Sequence, residues 1–492
     1  MRFFSKSGRS SLPTTPAAYL SSGFLVTGRF VTGFLIMGVL VMGAGSASAQ
    51  PIEDTLAAAY RNNPLLQAER ARQRATDETI AQALSGWRPT VSVSSDIGRA
   101  RDWNSVTDTV RNTVTETERL RSPATISGVV RQPLYRGGRT VAETSRAENN
   151  IQRGRALLQN VEQQVLLDAA TAYLNLLRDT AVLDLNTNNE QVLTRQLTAT
   201  RDRFQVGEVT RTDVAQAEAR IARARADRIQ SEGNLTATRA NYKRVVGETP
   251  GRLQPARLPP NLPASEAIAL QRVSENPNVM AAAFNEKSAR DNVDVIAGEL
   301  LPTVNLQGTL TRGEETQTRG ADRDTASVQL TVAVPLYQQG LVEARVREAK
   351  QVAGQRRIEL EDARRKAMED TTRSWEALNT TRARIVAIEA QIRAAEVALE
   401  GVIQESRVGS RTVLDVLDAE QELLNAKVQL VQSQREEIVA AYQLTSATGQ
   451  LTALKMGLAV EIYDPTRNYA ETRGRWWGTS IGGATPAKPQ GE

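Results

Sequence analysis

The sequence predicts a mainly α-helical chain with two β-hairpins, built from one structural unit that occurs twice. The prediction depends on an internal repeat, on period-2 alternation of apolar and polar residues in each copy, and on long stretches without proline. In the second copy the alternation passes through Val328, Leu330 and Val332, with polar Gln329 and Thr331 between them. Such alternation gives a strand one apolar and one polar face.

The repeat is clearest in segments 206–218 and 408–420, which read VGEVTRTDVAQAE and VGSRTVLDVLDAE. Their glycines are 202 residues apart, and PLY at 133–135 recurs at 335–337 with the same offset. Asn63-Pro64 recurs as Asn276-Pro277 at an offset of 213 residues, 11 more than the offset of 202. One loop of the first copy is therefore 11 residues longer. The chain is therefore one unit duplicated.

Composition excludes several classes of function. Among 492 residues there is no Cys and no His, and aromatic residues make up only 4%. Thiol catalysis, disulfides and histidine-based triads or metal sites are therefore absent. No nucleophile elbow or phosphate-binding loop occurs, so we expect neither an enzyme nor a bound cofactor or metal.

Residues 1–49 predict a secretory signal peptide. They hold four basic residues and no acidic one, and the apolar run at 30–45 precedes Ala47-Ser48-Ala49, a typical cleavage site. The alternative is an uncleaved membrane anchor. Removing these residues takes the net charge from +5 to +1, which leaves no electrostatic surface for nucleic acid.

The remaining chain divides into two repeats. We predict a first repeat at 50–247 (helix, β-hairpin, long helical hairpin), a Pro-rich linker at 248–263, a second repeat at 264–450, and a partly disordered tail at 451–492 that is peripheral from about Pro465 onward. Within the first repeat, the charged segment 99–121 resembles a loop.

The predicted strands begin after Pro89, at Thr125, after Pro302 and at Val328, the last continuing to Leu336. Strands of about 10 residues with alternating faces are typical of membrane β-barrels, although a half-buried hairpin alternates in the same way. Four strands cannot close a barrel, and lipid does not tolerate open edges. If these strands span a membrane, several chains must share one barrel.

Two long helices follow the hairpins, at about 138–204 and 340–407, each roughly 100 Å long. Return helices at about 212–246 and 412–448 complete two helical hairpins with tight turns at their tips. Apolar residues of the last helix recur every seven residues, as in a coiled coil, at Leu417, Leu424, Val431 and Ile438. The narrow apolar columns favour a hollow tube with water on both sides; a solid coiled-coil rod is the alternative.

This duplicated plan and its Val-Gly tips resemble the TolC family of outer-membrane efflux proteins over about residues 51–460. The resemblance implies a homotrimer in the outer membrane of a Gram-negative bacterium, with a 12-stranded β-barrel in outer-membrane lipid and an α-helical barrel crossing the periplasm. It implies an exit duct for drug efflux or type I secretion, without catalysis. Its partners would be a periplasmic adaptor protein and an inner-membrane pump or ABC transporter.

The resemblance also assigns roles to residues of the tips. Asp415 and Asp418 match a constricting ring, in which we expect like charges to raise the pKa of the carboxyls. Arg411, Thr212 and Asp213 match a tip latch, meaning contacts that hold the tip closed. The latch of the family includes an aromatic residue at the position of Ser406 in this chain. Arg211, a second cation at the tip, could take over the role of that aromatic residue. Val206-Gly207 and Val408-Gly409 match the turns on which the adaptor docks.

A second hypothesis is a periplasmic coiled-coil structural or adaptor protein whose β-hairpins stay in water. Adaptors carry one helical hairpin and a compact lipoyl-like domain. This chain has two helical hairpins and no such domain, which disfavours the second hypothesis.

Overall fold

The computed structural model describes residues 50–481. The predicted signal peptide at 1–49 and the last residues of the predicted tail lie outside this range. The described helices are α1 (Ile52–Asn62), α2 (Pro64–Leu84), α3 (Arg139–Gln205), α4 (Arg211–Val246), α5 (Glu266–Gln271), α6 (Pro277–Ala297), α7 (Leu341–Arg407), α8 (Val413–Ala447) and α9 (Pro465–Arg473). The strands are β1 (Thr90–Ile97), β2 (Ala100–Asp108), β3 (Thr113–Arg121), β4 (Ala124–Arg136), β5 (Thr303–Glu314) and β6 (Asp322–Ala333).

The two copies share individual contacts as well as element order. Asn63 caps the N-terminus of α2, and Asn276 caps that of α6. Each is followed by proline, which fits the first position of a helix. The Asn63 amide donates to the carbonyl of Val245 at 2.9 Å, and the Asn276 amide donates to that of Ala447 at 2.8 Å. Both asparagines therefore join the start of one helix to the end of the return helix that follows it in the same copy.

The predicted strands form one antiparallel sheet with the order β1-β4-β5-β6, so β4 of the first copy lies beside β5 of the second. The register places most apolar residues of the four strands on one face, and ten of them are exposed there: Val91, Val93, Ile97, Ile126, Val130, Leu306, Leu310, Val328, Leu330 and Val332. The other face is polar, and Ser127 and Thr311 share a hydrogen bond of 3.0 Å across it. The predicted alternation is confirmed, and within the described chain β1 and β6 each have one free edge.

Segment 99–121, predicted as a loop, instead forms an additional β-hairpin from β2 and β3, separate from the four-stranded sheet. Ion pairs cross the hairpin between Arg101 and Glu118 and between Asp102 and Arg121. At the turn, the Asp108 carboxylate accepts the backbone N–H groups at positions 110 and 111 at 3.0 and 3.1 Å. Cross-strand charge pairs stabilise the hairpin without a buried face, which explains why it lacks apolar alternation.

Strand β6 ends at Ala333, three residues earlier than predicted. Pro335 has no N–H to donate to a neighbouring strand, so it does not extend the ladder despite the continuing alternation.

The largest apolar core lies where α1, α3, α4 and α8 meet, around the buried Tyr173, Tyr242 and Tyr442. The Tyr173 hydroxyl lies 2.8 and 2.7 Å from the carbonyl oxygens of Gln50 and Gln254, which share its single proton. Burial raises the pKa of Tyr173 to about 12, so the phenol stays protonated as a donor.

The first part of the predicted tail, before Pro465, belongs to this core, which the sequence did not indicate. Leu451, Met456 and Leu458 are buried in it. Helix α9 then packs on α2, where the Asn468 amide donates to Asp77 at 2.9 Å. Asp77 is fully buried, and its burial raises the pKa of the carboxyl.

The long helices have the predicted lengths, since α3 and α7 contain 67 residues each. The seven-residue spacing is also present, but the most buried column consists of small residues. Ala426, Ser433 and Ala440 are buried in α8, and Ala224 and Ser231 occupy the matching positions of α4. Small side chains let neighbouring helices approach closely. Of the predicted column only Leu417 is fully buried in one chain; Leu424, Val431 and Ile438 are half-buried.

Candidate functional site

The two turns at the ends of the helical hairpins have one geometry. Gly207 and Gly409 have φ of +80° and +78°, the left-handed conformation that glycine adopts without strain. The N–H of Glu208 donates to the carbonyl of Arg203 at 2.9 Å, and that of Ser410 donates to Glu405 at 3.0 Å. The predicted helix–turn–helix tips are therefore present at both positions.

Each return helix begins with a capping box, in which a Thr side chain and an Asp side chain bind each other's backbone N–H. The Asp415 carboxylate accepts the N–H of Thr412 at 2.9 Å and its hydroxyl at 2.8 Å. Asp213 accepts the same two groups of Thr210, both at 2.8 Å.

These bonds act on the pKa of Asp415 within one chain, whereas the predicted increase concerns like charges in a ring of several chains and stays a prediction. The backbone and hydroxyl hydrogen bonds of Thr412, followed by the charge of Arg411, lower the pKa of this carboxyl within one chain. Asp415 therefore stays ionised at neutral pH unless other chains change its surroundings.

Asp418 lies three residues further along α8 and is ion-paired with Arg220 of α4. Its partner belongs to the other helical hairpin, 198 residues away in the sequence. Arg220 was not among the predicted site residues, because no local motif points to a partner at such a distance.

The predicted tip latch is not assembled within one chain. The Arg411 side chain binds Glu405 of its own hairpin at 2.9 Å. Thr212 is exposed, and the Asp213 carboxylate is engaged in the capping box. Arg211 is exposed and forms no ion pair with residues 50–481, while Ser406 is buried. The latch roles of these residues remain predictions about contacts between chains.

An apolar cluster joins the two hairpins beside the tips. Val413 and Leu417 of α8 pack there with Ala217 and Ile221 of α4 and with Leu197 of α3. The cluster is small, so polar contacts around it contribute to how firmly the hairpins are joined.

Glu420, one turn beyond this cluster, lies in a groove between α3 and α8 lined by Leu185, Val192 and Lys427. One oxygen of its carboxylate is buried without a hydrogen-bond partner among the described residues. Burial raises the pKa of Glu420, and the charge of Arg195 only partly opposes this effect.

We expect Glu420→Gln to stabilise the protein at neutral pH by about 1 kcal/mol, because an ionised carboxylate with an unpaired buried oxygen is destabilising. Since the folded-state pKa is raised, the protonated form is favoured on folding. The stabilisation that protonated Glu420 contributes to folding is complete below the unfolded-state pKa and is lost as pH rises through the folded-state pKa. Thermal unfolding in detergent should therefore show a gain at about pH 7.5 that vanishes near pH 4. Glu422→Gln, on the exposed side of α8, is the matched control; an equal gain there would contradict the prediction.

Over residues 50–481, no cluster of acidic side chains has the arrangement of a metal site. No helix in the same range combines the length and the hydropathy needed to cross a membrane.

Comparison with known proteins assigns the class. The family model described as "Outer membrane efflux protein" matches residues 55–248 and 270–450. The chain is 33% identical to outer membrane efflux protein BepC of Brucella suis over 88% of this chain and 92% of BepC. It is 25% identical to outer membrane protein TolC of Vibrio cholerae over 83% of this chain and 93% of TolC.

The fold agrees with this class. The crystal structure of the Campylobacter jejuni CmeC outer membrane channel matches with a TM-score of 0.71 at 15% identity, covering 86% of this chain and 89% of CmeC. The chain belongs to the outer membrane efflux protein family, whose members are channels of the Gram-negative outer membrane and not enzymes. The resemblance to the TolC family is thereby confirmed, and the second hypothesis of a periplasmic structural or adaptor protein is set aside.

Proposed function

We propose that three copies of this chain form a closed duct, a 12-stranded β-barrel continued by a barrel of long helices. The four-stranded sheet carries this proposal, because ten apolar residues of one face are exposed in one chain and both edges of the sheet are free. Pairing β1 of one copy with β6 of the next would remove every edge, which a lipid environment requires. The apolar face would then contact outer-membrane lipid and the polar face would line the lumen.

The duct passively conducts drugs or secreted proteins that an inner-membrane pump or ABC transporter delivers. A periplasmic adaptor protein docks on the tips, at Val206-Gly207 and Val408-Gly409. The side chains of Val206 and Val408 are 71% and 80% exposed. Their position at the ends of α3 and α7 makes them accessible to a partner approaching along the helix axes.

Asp415 and Asp418 constrict the periplasmic mouth as an aspartate ring. Both lie in the first two turns of α8, and Asp418 is exposed. Three copies bring six carboxylates around one opening, which favours cations over anions. Contacts of Arg411 and Arg211 with Thr212 and Asp213 of a neighbouring chain close the tip.

We expect Asp415→Asn/Asp418→Asn to raise the single-channel conductance of the purified protein in a planar bilayer several-fold and to reduce its cation preference. Asparagine at 415 removes the charge while retaining an oxygen that can accept the N–H of Thr412 in the capping box, so the helix start is preserved. Asp202→Asn, which removes an exposed charge near the end of α3, is the control and should leave both properties unchanged. Equal currents in all three proteins would remove the ring but leave the duct; absence of current in the wild type would argue against the duct itself.

A further inference from the structure

One ion pair of the tip region differs from the others in what it connects. The pairs Arg203–Glu208 and Arg201–Glu218 lie within the first helical hairpin, and Arg411–Glu405 lies within the second. Arg220–Asp418 joins α4 to α8 and, within residues 50–481, is the ion pair that connects the two hairpins.

The surroundings partly shield this contact from water. Arg220 precedes Ile221 and Asp418 follows Leu417, and both apolar residues belong to the cluster between the hairpins. The side chains of Arg220 and Asp418 are 26% and 56% exposed, so the cation is largely shielded from water. Reduced solvent contact strengthens the attraction between opposite charges.

The duplication shows that the two copies have diverged in charge at these positions. The residue that matches Asp418 in the first copy is Gln216, and the residue that matches Arg220 in the second copy is Glu422. One hairpin therefore supplies only the cation and the other only the carboxylate. At these two positions, opposite charges therefore meet between the hairpins and not within either hairpin.

We propose that Arg220 holds the second helical hairpin against the first by pairing with Asp418, and that this contact must break for the tip to open. The inference rests on the proposed function, since it concerns how the proposed duct is closed. In the closed state Arg220 neutralises Asp418, so the mouth carries one unpaired aspartate per chain, Asp415, in place of two. Opening frees Asp418, and the mouth becomes more selective for cations as it widens.

The test is the conductance of purified trimers in planar bilayers. We expect Arg220→Asp to raise single-channel conductance several-fold, because two carboxylates then face each other between the hairpins. Combining it with Asp418→Arg restores an ion pair of reversed polarity and should lower conductance to within about twofold of the wild type. Arg201→Asp disrupts a pair inside the first hairpin and is the matched control, with wild-type conductance expected.

Several results would overturn the inference. If Arg220→Asp conducts like the wild type while Asp415→Asn/Asp418→Asn conducts more, Arg220 does not hold the tip and the proposed duct stands. If the double charge reversal conducts as much as Arg220→Asp, the two side chains do not act as a pair. If the wild type itself does not conduct, the proposed function fails and the inference fails with it.

A second measurement applies even if charge reversal prevents folding. The chain contains no cysteine, so Arg220→Cys/Asp418→Cys introduces the only two thiols. A short bis-maleimide reagent should join them within one chain, giving a monomer-sized product on a denaturing gel and channels fixed at low conductance. A product that links two chains, or cross-linked channels that open normally, would overturn the inference.

Discussion

Replacing Val328 by arginine is expected to abolish recovery of the protein as a trimer in the outer membrane. Val328 lies at the centre of β6 on the apolar face of the sheet and is 78% exposed in one chain. An arginine that faces lipid near the bilayer midplane costs about 2–4 kcal/mol, and a trimer would carry three of them. The measurement is the amount of heat-resistant trimer in outer-membrane fractions.

Ser327→Arg is the control for that substitution, because Ser327 is the neighbouring residue on the opposite, polar face. If that face lines a lumen, the new side chain reaches water and the trimer forms normally. Equal loss of trimer in both variants would show that β6 tolerates no arginine on either face, which contradicts the proposed orientation of the sheet.

Ending the chain at Gln450 is expected to prevent folding. The truncation removes Leu451, Met456 and Leu458 from the largest core and removes α9 from its contact with Asp77. Deleting a single large buried side chain costs about 2–5 kcal/mol, so losing three of them is comparable to the total stability of a typical domain. Protease resistance and recovery of trimer both report the loss.

The matched truncation ends the chain at Ile481 and retains the whole described tail. We expect it to behave like the full chain. The double substitution Leu451→Ala/Leu458→Ala, which is milder than the truncation at Gln450, should lower the stability of the protein without abolishing folding. Normal trimer after truncation at Gln450 would mean that the core closes without the tail, in conflict with the burial of these residues.

The features that the sequence predicted are those encoded by local patterns. Proline-free stretches predicted α3 and α7, alternation predicted the four strands of the sheet, and the tight turn at Gly409 predicted the start of α8 near residue 412. Each of these signals depends on residues close together in the chain, so no knowledge of tertiary contacts was needed.

The features that were missed depend on distant partners or lack periodicity. Strands β2 and β3 carry charges on both faces, so they alternate no more than a loop does. The role of Arg220 depends on the carboxylate of Asp418, which lies in the other copy of the repeat. The buried residues Leu451, Met456 and Leu458 follow no helical or strand period, because they enter the core from short turns. Their apolar character in an otherwise polar segment was the available signal.

The equal lengths of α3 and α7 restrict how the length of the molecule can change. A residue added to one long helix rotates everything beyond it by about 100° and displaces its tip relative to the other. Removing seven residues at matching positions from α3, α4, α7 and α8 would instead keep every face aligned and shorten all four helices by roughly 10 Å. The reach of this protein toward its partners is therefore adjustable only in coordinated heptad steps, four helices at a time.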